Sequence, residues 1–144
     1  MTQNPPLRIR TSVIVRHNDK LLTFWAIDPT DGRGFHFLPG GAIEKGESPT
    51  DAAVRETLEE TGYSIRVETT NSLDREYSFY WNGQTYNCLT IFYRGFLLNP
   101  FQAPKPVKDA DYNVEVRWIE VSQIDQIFNY SVEILESVKA LAQE

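Results

Sequence analysis

The spacing of apolar residues predicts several strands in the first part of this chain. Residues 8–16 are rich in β-branched side chains, which favours a strand. Asn18-Asp19 is a turn signal, and residues 21–27 form the apolar run that returns from it. Residues 28–34 have the composition of a loop, and a short apolar run over 35–38 leads into a glycine turn.

A long hairpin is predicted in the middle of the chain. Two β-rich runs cover residues 63–81 and 84–98, and the Asn82-Gly83 pair between them is the strongest short-range signal for a hairpin turn. Residues 99–113 contain three prolines and predict an irregular loop. Residues 114–121 alternate apolar and polar side chains, which predicts a half-buried strand.

The chain is predicted to end in helical segments and to form one α/β domain. From Ser122 onward an apolar stripe recurs at helical spacing. Its members are Ile124, Ile127, Phe128, Val132, Leu135, Val138 and Leu141. The succession of strands, helix, hairpin, strand and helix predicts a mixed β-sheet in a single domain over residues 1–144. Residues 1–7 are expected to form a flexible arm.

The best-marked element is a helix predicted over Pro49–Thr61. Ser48 is a favoured N-cap residue, and Pro49 suits the first helical position. Asp51 stands three residues after Ser48 and completes a variant of the capping box. Gly62 supplies the left-handed residue that commonly ends a helix.

One side of this helix carries three carboxylates. At about 100° per residue, Glu56, Glu59 and Glu60 fall within about a third of the circumference. The opposite side, which is expected to face the core, carries Val54, Leu58 and Thr61. A solvated acidic face is the simpler explanation. Arg55 can pair with Glu59 and so offset the repulsion of roughly 0.2–0.5 kcal/mol for each like-charged pair.

The residues just before the helix favour a metal-binding interpretation instead. The turn Pro39-Gly40-Gly41 lets backbone groups approach a metal or a phosphate, because glycine has no side chain in the way. Glu47 follows in a fixed relation to the acidic face of the helix. Carboxylate oxygens suit hard cations such as Mg²⁺ and Mn²⁺, and Mg²⁺ usually bridges carboxylates to substrate phosphates.

Composition narrows the possible partners and settings. A formal net charge of −6 makes the chain a poor candidate for binding a nucleic acid duplex. Hydrophobic residues make up 41% of it, which excludes a disordered polar chain. Cys88 is the only cysteine, so no internal disulfide can form, which favours a reducing, cytoplasmic setting. No stretch approaches the roughly 18 apolar residues of a membrane span.

Residues 41–63 resemble the Nudix box, G-x5-E-x7-R-E-U-x-E-E-x-G-U, in which U is an apolar residue. Its fixed positions are occupied by Gly41, Glu47, Arg55, Glu56, Glu59, Glu60 and Gly62. Thr57 departs from the motif, because an aliphatic residue is more usual there. The motif covers 23 of 144 residues, and the flanking strands and final helices also fit a Nudix domain.

This resemblance implies an α/β fold of the Nudix type, an α/β/α sandwich with a mixed β-sheet. It also implies a hydrolase that cleaves a nucleoside diphosphate linked to another group, with Mg²⁺ or Mn²⁺ as cofactor. The metal ligands that it implies are the carboxylates of Glu56, Glu59 and Glu60 and the carbonyl of Gly40. Arg55 would orient the glutamates, and Glu47 would support the metal network.

The general base stays open, because it differs between Nudix subfamilies. Inside the box, Glu59 and Glu56 are the candidates. Outside it, Glu115 is the first candidate, and Asp109 and Asp111 are weaker ones. For Glu115, an outward-facing position on a strand is the simpler explanation.

The rest of the substrate is expected to contact residues outside the acidic helix. Gly41, Glu47, Arg8 and Tyr80 are assigned to substrate binding. Arg8, Arg10, Arg16 and Arg33 are candidate phosphate partners, although surface charge is the simpler explanation for each. Aromatic rings can stack on a base. The candidates are Phe24, Trp25, Phe35, Phe37, Tyr77, Phe79, Tyr80 and Trp81, for each of which core packing is the alternative. Tyr80 is preferred, because relatives that cleave dinucleoside polyphosphates have an aromatic residue near this distance from the box.

Two functions follow from these observations. The first is a hydrolase acting on a dinucleoside polyphosphate, a nucleotide sugar, ADP-ribose or a nucleoside triphosphate. The alternative is a non-catalytic Nudix module that senses a nucleotide. Because no carboxylate of the box is missing, the hydrolase is favoured. The expected partner is a small nucleotide-type diphosphate, without a nucleic acid duplex or a membrane, and a homodimer is left open.

Overall fold

The computed structural model describes residues 6–143 and confirms the predicted succession of strands, helix, hairpin, strand and helices, with one additional short strand at the predicted glycine turn. The strands are β1 (Leu7–His17), β2 (Lys20–Ile27), β3 (Gly34–Phe37), β4 (Gly40–Ala42), β5 (Ile65–Trp81), β6 (Gln84–Leu97) and β7 (Asn113–Glu120). The helices are α1 (Pro49–Thr61), α2 (Ile124–Ile127) and α3 (Val132–Leu141), with a 3-10 turn at Val121–Gln123. Of the arm expected over residues 1–7, residues 1–5 lie outside the described part, and Leu7 already belongs to β1.

The strands form the mixed sheet that the order of elements predicts. Five of them follow the order β3-β2-β1-β6-β5, while β4 pairs with β1 and β7 pairs with β2. The pairing of β1 with β6 is parallel, and the other pairings are antiparallel. The glycine turn is therefore part of the sheet, since Gly40 and Gly41 pair with Ser12 and Thr11 of β1.

Two hydrophobic clusters show that helices cover both faces of the sheet. Ile14 belongs to the cluster that contains Phe128 and Val138 from the C-terminal segment. Its neighbour Val13 belongs to the cluster that contains Ala53 of α1. Because successive side chains of a strand point to opposite faces, β1 is buried on both sides. The result is an α/β/α sandwich.

The predicted hairpin is confirmed, and its turn has the conformation that Asn-Gly favours. Asn82 and Gly83 have φ angles of 50° and 77°, as expected for the two central residues of a type I′ turn. The pairing of β5 with β6 is interrupted between Glu68 and Leu73. Asn71, inside that interruption, also has a positive φ of 63°. This irregularity was not predicted.

The C-terminal segment is helical as predicted but is broken near Ser131. The hydroxyl of Ser131 accepts a hydrogen bond from the backbone N–H of Ile134 and caps α3. Of the predicted apolar stripe, Phe128 and Val138 are fully buried, whereas Val132 at the start of α3 is 65% exposed. The prediction that Val132 belongs to the apolar stripe is therefore wrong. No helix among residues 6–143 is long and apolar enough to cross a membrane.

Candidate active site

Helix α1 begins and ends where its local signals predict. The hydroxyl of Ser48 accepts a hydrogen bond from the backbone N–H of Asp51 at 3.1 Å. At the other end Gly62 has a φ of 79°, and its N–H bonds to the carbonyl of Leu58. A Cβ on Gly62 would lie 2.1 Å from the carbonyl oxygen of Lys105, so glycine is required by close contact as well as by conformation.

The buried side of α1 differs from the predicted one. Thr61 is buried as expected, but Ala53, Thr57 and Glu60 are buried beside it. The acidic side of the helix is therefore only partly solvated, because Glu60 is buried and Glu56 half-buried while Glu59 is exposed. Thr57 replaces the usual aliphatic residue without an unpaired polar group, because its hydroxyl donates to the carbonyl of Ala53 at 2.8 Å.

Glu60 lies almost entirely inside the protein, with 5% of its surface exposed. Its Oε1 accepts a hydrogen bond from the backbone N–H of Gly40 at 2.7 Å. Burial raises the pKa of Glu60 well above its ordinary value; the bond from Gly40 opposes this shift, and the carboxylates of Glu56 and Asp109 add to it. The charge of Arg10 also opposes the shift, but the pKa stays raised, so a bound cation would stabilise the ionised carboxylate.

Glu56 is held directly above the glycine turn. A Cβ on Gly41 would lie 2.7 Å from Cδ of Glu56, and one on Gly40 would lie 2.0 Å from the carbonyl oxygen of Thr11. The two glycines therefore allow strand β4 to lie between β1 and the helix. Burial raises the pKa of Glu56, while the Arg55 guanidinium opposes that shift.

Arg55 connects the helix to the loop before it. Its Nε donates to Oε2 of Glu47 at 2.7 Å and its Nη2 to Oε1 at 3.0 Å, a bidentate pair. Its Nη1 donates to Glu56 at 3.0 Å and to Glu59 at 3.2 Å. The hydrogen bonds that Glu47 accepts from Arg55 are the largest cause of its lowered pKa. One guanidinium therefore positions three of the carboxylates in the box.

The carboxylates of the box offer the donor chemistry of a hard-cation site. All of the side-chain donors are oxygens, as Mg²⁺ and Mn²⁺ prefer. Among residues 6–143, no three acidic, histidine or cysteine side chains already surround one point. Instead Glu56 and Glu59 bond to Arg55, and Glu60 bonds to Gly40. Binding of a cation would therefore require the carboxylates of Glu56, Glu59 and Glu60 to reorient.

A cavity of about 310 Å³ opens beside Gly40 and Glu60. Its aromatic lining consists of Phe24, Phe37, Tyr77, Phe79, Trp81, Tyr86, Tyr112 and Tyr130. The ring of Phe37 lies 5.0 Å from that of Trp81 and 5.8 Å from that of Phe79. Strands β3 and β5 thus join in one aromatic wall, which can hold a flat ring.

The structure does not place Tyr80 in this cavity. Along β5 the lining side chains are Tyr77, Phe79 and Trp81, and Tyr80 between the last two is 50% exposed. The guanidinium of Arg33 lies 6.0 Å from the centroid of its ring. Tyr80 is therefore a residue of the outer surface.

Two of the candidate arginines line the cavity. The guanidinium of Arg8 lies 4.6 Å from the ring centroid of Tyr86. Arg10 makes no hydrogen bond or ion pair with any residue that the structure describes. In contrast, Arg33 pairs with Asp31, and Arg16 donates to the carbonyl of Ala142.

Glu115 and His36 lie together away from the cavity lining. Arg117 donates to Glu115 at 2.6 Å, approaches Nε2 of His36 at 3.4 Å and stacks 4.5 Å from the ring centroid of Trp25. The carboxylate of Glu115 therefore already has a partner on this surface.

Of the other candidate acids, Asp109 interacts with Glu60 of the box. The side chain of Asn113 donates both to Asp109 at 3.0 Å and to the carbonyl of Glu60 at 3.0 Å. Asp109 also contributes to the raised pKa of Glu60. Asp111 is an exposed residue. The structure thus brings Asp109, and not Glu115, beside the carboxylates of α1.

Sequence reasoning missed several residues of the cavity. Tyr86, Tyr112 and Tyr130 line it but stand in no motif. Asn82 was recognised only as a turn residue, although it also lines the cavity. Tyr86 lies on β6, whereas Asn82, Tyr112 and Tyr130 lie in turns, so these residues share no local signal and meet only in the folded chain.

Comparison with known proteins agrees with this architecture. The family model described as the NUDIX domain matches residues 6–140. A NUDIX hydrolase from Nitrosomonas europaea is 24% identical and covers 94% of this chain and 87% of its own, with a TM-score of 0.64. The MutT protein from Methanosarcina mazei Go1 is 17% identical and covers 97% of this chain and 96% of its own, with a TM-score of 0.68.

Two further similarities involve proteins with named substrates. A C. elegans Ap4A hydrolase in a binary complex is 17% identical over 91% of this chain and 93% of its own, with a TM-score of 0.65. A Bacillus subtilis (strain 168) protein, named as a candidate 8-oxo-dGTP diphosphatase, is 67% identical over 30 residues, or 21% of this chain. That match spans 20% of the length of the curated relative.

Proposed function

Because this chain belongs to the Nudix hydrolase family, we propose that it is a metal-dependent pyrophosphohydrolase acting on a nucleoside diphosphate linked to another group. The observation that carries this proposal is that Gly40 and the buried carboxylate of Glu60 belong to the lining of the aromatic cavity. A nucleotide can therefore place its base among the rings while its diphosphate reaches the acidic helix.

We assign the metal ligands to the acidic helix and the glycine turn. Glu56, Glu59 and Glu60, with the carbonyl of Gly40, would hold Mg²⁺ or Mn²⁺. The fit rests on all-oxygen donors and on the two carboxylates whose pKa is raised in the absence of a cation. When bound, the metal would supply charge neutralisation and Lewis-acid polarisation of the phosphoryl oxygens.

Arg55 and Glu47 are assigned a positioning role. Arg55 bonds to Glu47 through two parallel hydrogen bonds, which fixes its guanidinium plane. From that fixed plane it bonds to Glu56 and Glu59. The pair would thus keep the carboxylates of α1 close to their working orientation. It would also limit their mutual repulsion before substrate arrives.

The phosphate end of the substrate is assigned to the arginines of β1. Arg8 and Arg10 line the cavity on the same strand that pairs with the glycine turn. Arg10 forms no hydrogen bond or ion pair among the described residues, although its charge acts on the pKa of Glu56 and Glu60, so its N–H groups can donate to a phosphate oxygen. Gly41 would let the chain of phosphates approach the backbone closely.

The general base is assigned to one of three carboxylates. Glu59 and Glu56 in the box can orient a water near the phosphates, as can Asp109 outside it. Asp109 is preferred among the outside acids because it is coupled to Glu60, whereas Glu115 bonds to Arg117.

A phosphate-release assay across a nucleotide panel tests the proposal. The panel contains a dinucleoside polyphosphate, a nucleotide sugar, ADP-ribose and nucleoside triphosphates, each with Mg²⁺ and with a coupled phosphatase. We expect metal-dependent product from at least one class, and a fall of at least about 100-fold for Glu59→Gln or Glu60→Gln. Glu136→Gln is the matched control, because Glu136 is an exposed glutamate of α3.

Two results would contradict the proposal. The absence of product from every compound in saturating Mg²⁺ would exclude a nucleotide pyrophosphohydrolase. Tight nucleotide binding without turnover would favour the nucleotide-sensing module instead. Full activity of Glu59→Gln or Glu60→Gln would refute the assigned metal ligands while leaving the reaction standing.

A further inference from the structure

Asn82 contributes an amide to the rim of the aromatic cavity. It belongs to the lining and directly follows Trp81, whose ring forms part of the wall. Two hydroxyls of the aromatic lining are already used inside the protein. The hydroxyl of Tyr77 bonds to Thr90 at 2.8 Å, and that of Tyr130 donates to the carbonyl of His36 at 2.9 Å.

The β2–β3 loop fixes the position of Asn82. Asp28 is buried, at 1% exposure, and its Oδ2 accepts from the backbone N–H of Asn82 at 3.0 Å. Its Oδ1 accepts from the backbone N–H of Thr30 at 2.8 Å. The hydroxyl of Thr30 in turn donates to Oδ1 of Asn82 at 2.6 Å. Both the backbone and the side chain of Asn82 are thus held by residues distant in sequence.

The hydrogen bond from Thr30 determines which end of the amide remains available. Because Oδ1 of Asn82 accepts from Thr30, the Nδ2 group is the end left to interact with a ligand. Nδ2 has no hydrogen-bond partner among the residues that the structure describes. An amide nitrogen can only donate, so it matches a carbonyl oxygen on a base and is mismatched with an exocyclic amine.

We propose that Asn82 is a specificity-determining residue whose Nδ2 group donates to a carbonyl oxygen of the bound base. This inference rests on the proposed nucleotide substrate. Bases with a carbonyl at the position that faces Asn82 bind more tightly than bases with an amine there. Thr30 and Asp28 act as positioning residues, since they hold the amide and the turn.

Binding of two nucleoside monophosphates tests this specificity apart from catalysis. Inosine and adenosine 5′-monophosphates carry an oxygen and an amine, respectively, at C6, and neither has an anhydride to cleave. Isothermal titration should give wild-type protein about a 10-fold preference for the inosine compound, the size expected for one hydrogen bond made or lost. Uridine and cytidine 5′-monophosphates provide the same comparison for pyrimidines.

Asn82→Asp replaces the donor with an acceptor and keeps both the turn and the bond from Thr30. We expect the preference to fall below about 2-fold or to reverse in favour of the amine. Asn71→Asp is the matched control, because Asn71 is also exposed, has a positive φ and lies on the same hairpin. Thr30→Val should weaken the preference too, whereas Thr85→Val, at an exposed threonine beside the turn, should leave it unchanged.

The ratio of the two affinities separates this inference from the proposed function. A wild-type protein without preference, or a folded Asn82→Asp protein that keeps the wild-type ratio, overturns the role of Asn82 and leaves the hydrolysis assay unaffected. Failure of every monophosphate to bind overturns the base site as a whole, including the role of Asn82. Thermal unfolding of each variant identifies any loss that comes from misfolding.

Discussion

The α-carbon of Gly41 lies directly against the carboxylate of Glu56. A Cβ built on Gly41 would stand 2.7 Å from Cδ of Glu56 and 2.8 Å from its Oε1. These distances are shorter than any ordinary contact between such atoms, so the two positions are structurally linked. A side chain at the first glycine of the box would therefore have to displace the carboxylate end of Glu56.

Gly41→Ala is therefore expected to displace Glu56. The methyl group would push the carboxylate away from the glycine turn and misorient a proposed metal ligand. We expect metal affinity and activity to fall about 10–100-fold, as for other changes that misorient a metal ligand. Titration with Mn²⁺ followed by calorimetry, and kcat/KM on the best substrate, measure the two effects.

Gly46→Ala is the control for loss of stability alone. Gly46 has a φ of 81°, so alanine is strained there, but a Cβ would meet no atom within 4 Å. This variant should lose stability without losing metal affinity. Equal metal affinities for wild type and Gly41→Ala would show that Glu56 does not need its present position.

Glu60→Gln is expected to abolish metal binding and to increase the stability of the metal-free protein. The glutamine can still accept the hydrogen bond from Gly40 through its Oε1, but it removes a buried charge whose ionisation burial disfavours. The metal-free variant should melt at a higher temperature, by roughly 2–4 °C for each 1 kcal/mol gained. Mg²⁺ or Mn²⁺ should raise the Tm of wild type and should no longer raise that of the variant. A lower Tm in the metal-free variant would contradict this account.

Local signals explain why so much of the fold could be predicted from the sequence. The bounds of α1 depend on Ser48 and Gly62, and the hairpin turn depends on Asn82-Gly83. Each acts through hydrogen bonds or φ preferences within a few residues. The glycine and glutamate positions of the box could likewise be recognised in the sequence, because they lie close together along the chain.

The parts that were missed depend on long-range contacts. Glu60 is buried because β1 and β4 lie against the acidic side of α1, a contact that an amphipathic pattern does not reveal. Tyr80 and Phe79 differ by one position, and one position decides which face of β5 a side chain occupies. The pairing of β5 with β6 is irregular between Glu68 and Leu73, so counting alternate residues from the end of α1 does not give the face of a later side chain. Neither feature has a local signal.

Asp109 and Glu115, two of the candidate acids outside the box, should differ in their effect on catalysis. Asp109 is coupled to Glu60 and bonded to Asn113, while Glu115 is bonded to Arg117 on another surface. We expect Asp109→Asn to lower kcat by about 100-fold or more if it is the base, and Glu115→Gln to change it less than about 3-fold. Single-turnover rates at saturating substrate measure this. A larger loss from Glu115→Gln would reassign the base.

Adjacent aromatic residues of β5 should affect substrate binding differently. Phe79 lines the cavity and its ring lies 6.0 Å from that of Tyr130, whereas Tyr80 is half exposed. Phe79→Leu should raise KM by about 10-fold with little change in kcat, because base–aromatic stacking contributes roughly 1–3 kcal/mol. Tyr80→Leu is the matched control and should leave KM within about 2-fold. A larger rise in KM for Tyr80→Leu than for Phe79→Leu would place the nucleobase on the outer surface.

His36 should make the stability of the protein depend on pH near neutrality. Burial and, secondarily, the Arg117 guanidinium lower the pKa of His36 below its ordinary value. Between the two pKa values, the folded protein therefore holds fewer protons than the unfolded chain. The free energy of unfolding should fall as pH drops through about 6.5, and this contribution should level off below the folded pKa.

Two variants isolate this contribution. His36→Gln removes the titrating ring, so its free energy of unfolding should fall less than that of wild type between pH 7.5 and 5 in urea titrations. Arg117→Gln removes the nearby positive charge but leaves the buried ring, so it should retain an intermediate dependence. Comparing each variant with wild type at every pH cancels the carboxylates that titrate in the same range. Parallel curves for wild type and His36→Gln would show that His36 has the same proton affinity in the folded and unfolded states.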